Sequence, residues 1–211
     1  MPERSGNQQD NSIPNDGHTA KTRREFLSGL AAGTVAAAGY FVGQELLTKE
    51  DAPHEEYQNR QKQIATCAAK YAYLEEFITS ASNETDSYQP NQKLSQELFN
   101  FNARFRKIYD SYLSWSDAAA NLLNNSNSLH LGVKYTVNLV LETHKQAGAL
   151  AGLRSLVEAE IKNEQEKYKK TPQAMAQIKN YYDLITLEQK IADEIRLAGD
   201  IFLSKFNHIQ I

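Results

Sequence analysis

The chain has 211 residues and a formal net charge of −3, with 23 basic against 26 acidic side chains. That balance creates no basic field for gripping nucleic acid. The single cysteine, Cys67, excludes both an internal disulfide and a covalent haem attachment motif.

Residues 1–21 read as a polar, disordered leader, without the periodicity of a helix or strand. Thr22, Arg23, Arg24, Glu25, Phe26 and Leu27 come next. A soft apolar run rich in Ala and Gly follows, from Ser28 to Leu47. A basic pair before a moderately apolar helix is the layout of an export signal. The hexapeptide resembles the twin-arginine family of signals, departing from it at Ser28, where that family often has Lys. The resemblance implies recognition by the twin-arginine translocase and passage of the folded chain across a bacterial cytoplasmic membrane. The expected destination is the periplasm or the outer face of that membrane. Such signals are addresses rather than anchors.

Two fates for this segment stay open. Ala36, Ala37 and Ala38 provide a small-x-small pattern, Ala36 and Ala38 being the small pair, with cleavage before Gly39. Uncleaved, residues 26–47 are long enough to span a hydrocarbon core, which takes about 20 helical residues. Lys21, Arg23 and Arg24 on the near side and Glu45, Glu50 and Asp51 on the far side would leave the body outside. No cysteine adjoins the apolar run, which excludes a lipidated anchor.

Residues 50–211 are long enough for one domain with its own core, and their pattern is helical throughout. The first segment runs from about Pro53 to Ser80, with Ile64, Cys67, Ala68, Tyr71, Leu74 and Ile78 on one face. The polar stretch Ser82 to Ser87 ends it. The second, from about Asn91 to Asn124, sets Leu94, Leu98, Phe101, Phe105, Ile108, Tyr112, Trp115, Ala119 and Leu122 at alternating spacings of four and three. That 3.5-residue period is the seam of a left-handed helix pair. Asn124 to Ser128 make the next turn. The third segment, from about Leu129 to Lys169, carries Val133, Val137, Val140, Ala147, Leu150, Ala151, Leu153, Val157 and Ile161. Its small stretch Ala147 to Gly152 invites close approach by a neighbouring helix. Thr171-Pro172 opens the fourth, a cap residue followed by Pro at the first helical position. The fourth continues through Met175, Ile178, Tyr182, Ile185, Ile195, Phe202 and Phe206. Short connectors predict an antiparallel up-down-up-down four-helix bundle, all-α and preceded by the signal or anchor helix at 22–48.

The chemical inventory is sparse. Ferritin-like metal centres use Glu-x-x-His, and Glu142-Thr143-His144 has the wrong spacing for one helix face. There is no His-Glu-x-x-His, nucleophile elbow or phosphate loop. Of His18, His54, His130, His144 and His208, only His144 follows an inward row, which makes it the candidate metal or haem ligand. A satisfied core or boundary histidine is the adopted reading. Arg154 is expected to pair with Glu158 or Glu188 and so specify the fold. Cys67 reads as a small buried hydrophobe. The tyrosines at 71, 73, 109, 112, 168, 181 and 182, with Trp115, read as core or boundary residues rather than a ligand pocket.

These features lead to a non-catalytic, cofactor-free bundle, exported or tethered, that acts through a protein partner or a second copy of itself. Two alternatives accompany it. In length and signal the chain is similar to small helical accessory subunits that carry a larger oxidoreductase through this route. The other alternative is a ligand- or metal-binding bundle using His144 and nearby tyrosines.

Overall fold

The computed structural model describes residues 52–81, 88–124 and 130–206. These form four helices and, among the described residues, no strand: α1 (Ala52–Ala81), α2 (Gln92–Asn124), α3 (His130–Tyr168) and α4 (Pro172–Phe206). The signal residues Thr22, Arg23, Arg24, Phe26 and Leu27, the cleavage residues Ala36, Ala38 and Gly39, and the spanning segment 26–47 lie outside the described residues. Among those described, no helix is long and apolar enough to cross a membrane.

Local chemistry explains the helix boundaries. Pro53 sits in the first turn of α1, where its missing N–H costs nothing. Asn91 caps α2: its side-chain oxygen accepts from the Leu94 N–H at 2.8 Å, and its carbonyl accepts from Ser95 at 2.9 Å. Between α3 and α4 the Thr171 N–H donates to the Tyr168 carbonyl at 2.8 Å. Pro172 then starts the new helix, as the Thr-Pro pair predicts.

Side-chain contacts give the register. In α1 and α2, Tyr57 meets Ser116 while Glu75 meets Arg106, so one index rises as the other falls. The same inversion joins α2 to α3 through Arg104–Gln146 and Trp115–Thr143. It joins α3 to α4 through His144–Arg196 and Arg154–Thr186. Consecutive helices are therefore antiparallel, and Arg60–Glu194 together with Tyr71 beside Glu188 shows α1 antiparallel to α4 as well.

All nine residues of the α2 heptad row are buried. Each large apolar side chain so buried contributes about 1.5–3 kcal/mol relative to exposure. Packing around the bundle is uneven. α1 lies mainly on α4, α2 on α3, and α3 on α4, while α2 and α4 approach across the diagonal. α1 and α2 touch sparsely. Bulky rings fill the space between them: Tyr71 stacks near Phe105 at 5.3 Å between centroids, and Tyr57 lies 6.5 Å from Trp115. Phe105, Tyr109, Tyr112 and Trp115 continue the ladder along α2 at 5.2–6.1 Å. Burial pushes the Tyr57, Tyr71 and Tyr112 phenols well up, and Tyr109 to about 12, so these hydroxyls stay neutral.

The small stretch of α3 behaves differently from expectation. Ala151 is exposed, and a Cβ built on Gly148 or Gly152 would meet nothing within 4 Å. Among the described residues no helix approaches there. The close approach occurs on α4 instead, at Gly199, against His144 and Val140 of α3.

Candidate functional site

Helix period 3.6 decides which polar residues a helix must bury. On α4 the apolar positions Ile178, Ile185, Ala192 and Ile195 form one inward face, and Glu188 falls on it between Ile185 and Ala192. On α1, Glu75 falls one turn after Tyr71. Both carboxylates are consequently carried into the core, Glu188 to complete burial.

The bundle brings partners from three helices to this point. The Arg106 guanidinium on α2 donates to Glu75 Oε1 at 3.2 Å. The Asn102 side-chain amide, turned to donate, places its nitrogen 3.0 and 2.9 Å from the two Glu188 oxygens. Tyr71 on α1 also acts on Glu188, its hydroxyl favouring the ionised form. Burial pushes the Glu188 carboxyl well above the ordinary range, and the nearby Glu75 charge adds to this. The Tyr71 hydroxyl and Arg106 act in the opposite direction. Chemically, the arrangement disfavours a charge on Glu188 and ties α1, α2 and α4 together.

Two other polar networks are structural ties. Thr143, fully buried on α3, gives its proton to the Leu139 carbonyl at 2.7 Å and accepts from Trp115 Nε1 at 3.1 Å. Its oxygen is also 2.7 Å from Ser111, whose hydroxyl must then be the donor. At the far end Glu164 accepts from the Tyr88 hydroxyl and, at 2.8 Å, from Asn91 Nδ2. Gln177 on α4 accepts from the Tyr88 N–H at 2.7 Å, so the chain entering α2 is clamped to the α3–α4 hairpin.

The sequence candidates fall as follows. His144 lies at the α3–α4 interface, its Nε2–H donating to the Arg196 carbonyl at 3.0 Å and its Nδ1 3.7 Å from Asp200. With Nε2 engaged, the ring acts as an interhelix tie. Arg154 takes Glu158 as its partner at 2.8 Å and also reaches Thr186, while Glu188 goes to Asn102 and Tyr71. Cys67 is buried beside Ala68. Tyr71, Tyr109, Tyr112 and Trp115 are core residues, whereas Tyr73 is exposed on the back of α1. Among the described residues no group of three or more His, Cys, Asp or Glu side chains is placed to hold a metal ion.

Sequence reasoning missed Glu75, Asn102 and Arg106 as a cluster with Glu188. One signal was present: a carboxylate interrupting an apolar row at core spacing. The chain matches no known family model, and no significant similarity links it to curated proteins or to solved structures.

Proposed function

We propose that this chain is an exported or membrane-tethered helical bundle that works by binding another protein, with no catalysis of its own. The observation that supports it most is the outer face of α3. Leu141 and Leu156 are 44% and 51% exposed there and flank Gly148, Ala149 and Gly152. Among the described residues nothing lies within 4 Å of where a Cβ on either glycine would sit. A low surface of this kind, apolar apart from the exposed Lys145, lets another backbone come close.

The address supports the same reading. Thr22, Arg23, Arg24, Phe26 and Leu27 fit a twin-arginine translocase substrate, bound for the periplasm or the outer face of the cytoplasmic membrane. Replacing Arg23 and Arg24 with Lys is expected to leave the chain in the cytoplasm; unchanged export would remove the address.

The partner is sought by placing a photo-crosslinking residue at Ser155, exposed on the same face, in the native host. One defined adduct is expected from this face, and none from an outward control position such as Lys190. Identical, diffuse adducts from both positions would sink the reading. The mass of the adduct separates a second copy from a different protein. A cofactor-bearing enzyme in the adduct would make the chain the small accessory subunit of an oxidoreductase.

A further inference from the structure

Two carboxylates, Glu75 and Glu188, share a buried site with one guanidinium, Arg106. Arg106 is committed to Glu75 at 3.2 Å. Glu188 has two neutral neighbours, the Asn102 amide and the Tyr71 hydroxyl, and feels the Arg106 charge without an ion pair of its own among the described residues. A buried carboxylate in that position is relieved by taking up a proton. On α3, Arg154 reaches toward α4 but is bound to Glu158 and Thr186, and neither charge joins the set acting on Glu188.

Asn102 makes the proton legible. With Glu188 ionised, the Asn102 NH₂ group faces both carboxylate oxygens and donates to them. With Glu188 protonated, its O–H donates to the Asn102 carbonyl oxygen, which requires the amide in the opposite orientation. Amide orientation and protonation are thus one coupled choice.

The position of the cluster gives that choice a consequence. It bridges α1 and α2, a pair of helices that touch sparsely, and α1 contributes Tyr71 and Glu75 to it.

We propose that Glu188, Asn102 and Glu75 form a proton-operated latch on α1. With the proton in place, the carboxyl of Glu188 donates to Asn102, and α1 is closed onto α2 and α4. When the proton leaves to water, two buried carboxylate charges share the single guanidinium of Arg106 and α1 loosens. Opening of α1 also returns Glu188 to water, where it titrates as an ordinary glutamate and releases the proton.

The test uses the full chain at a series of pH values, with amide protection factors, which remove the intrinsic pH dependence of exchange. Protection in α1 is expected to fall by up to about tenfold per pH unit from near pH 4.5 up to the titration point of folded Glu188. In Glu188→Gln, which keeps the neutral hydrogen bonds, that pH dependence is expected to vanish. A carbon-13 NMR titration of glutamate side chains in the unsubstituted chain is expected to show one carboxyl, lost in E188Q, still neutral where the exposed glutamates are ionised. If E188Q does not fold, Glu75→Gln serves: removing the neighbouring charge lowers the titration point of that carboxyl. The latch is overturned if Glu188 titrates with the exposed glutamates, if α1 protection falls identically in E188Q, or if E75Q leaves the titration unmoved.

Discussion

The ring of His144 occupies the space that a methyl group on Gly199 would need. A Cβ there would lie 2.5 Å from His144 Nε2 and 2.8 Å from Val140 Cγ1, well inside contact distance. Gly199→Ala therefore overpacks the α3–α4 interface, at a cost of about 1–3 kcal/mol. Alanine's better helix preference returns about 1 kcal/mol of this. Urea denaturation is expected to show net destabilisation of G199A, partly recovered when His144→Ala is added. Equal stability of G199A and the unsubstituted chain would show that the interface is looser than its geometry.

The helices themselves were readable because each boundary and each buried row is written locally. Asn91, Pro172 and the alternating spacing of Leu94 to Leu122 act within a turn or two, and all appear as expected. Arg154 with Glu158 was also within reach, being an i,i+4 pair. The cluster around Glu188 was not, because Asn102 and Tyr71 come from helices 86 and 117 positions away in sequence (188 − 102 and 188 − 71). Which partners meet depends on the rotation of each helix about its axis, and no local pattern encodes that rotation. The same limit explains the small stretch of α3. Ala147 to Gly152 permits close approach, but the neighbour's rotation placed that approach at Gly199 instead.

Thr143 is the shared acceptor of the Trp115–Ser111 network, and its side chain is nearly the shape of valine. Thr143→Val keeps the volume but leaves the buried Trp115 N–H without its acceptor. A donor stranded in this way costs about 1–3 kcal/mol. Trp115 is the sole tryptophan of the chain, so its fluorescence reports the site directly. A lower thermal midpoint with altered emission is expected for T143V, and a smaller loss for Ser111→Ala. A T143V protein as stable as the original would mean that the indole N–H finds another partner.

The two ends of the pH scale are governed by different carboxylates. The hydrogen bond and charge of Lys93 hold Glu160 below the ordinary range. A lowered folded pKa supplies stability above the unfolded value, and that stability is lost as pH falls through the folded one. Lys93→Ala is thus expected to flatten the acid side of the stability profile, below about pH 4.5, while leaving neutral pH slightly less stable. Glu188 has the opposite sign: its raised pKa favours the fold at low pH and disfavours it as pH rises. Denaturant midpoints collected from pH 3 to pH 9 check both. An acid limb unchanged in K93A would assign acid sensitivity to other carboxylates.

Gly148 and Gly152 separate folding from binding. Both are mid-helix, neither meets another described residue, and neither needs a glycine's conformational freedom. Replacement by alanine should stabilise the bundle by about 0.8–1.0 kcal/mol each, the usual helix preference of alanine over glycine. Added side chains on the same face also raise the floor between Leu141 and Leu156, so a partner backbone is held farther away. The double variant is expected to melt at a higher temperature and yet to lose the defined cross-linked adduct of this face, read from a photo-crosslinking residue at Ser155. Such a split cannot arise from unfolding, because stability moves the other way. Higher stability with an undiminished adduct would show that the contact at Ser155 does not depend on close approach over Gly148 and Gly152.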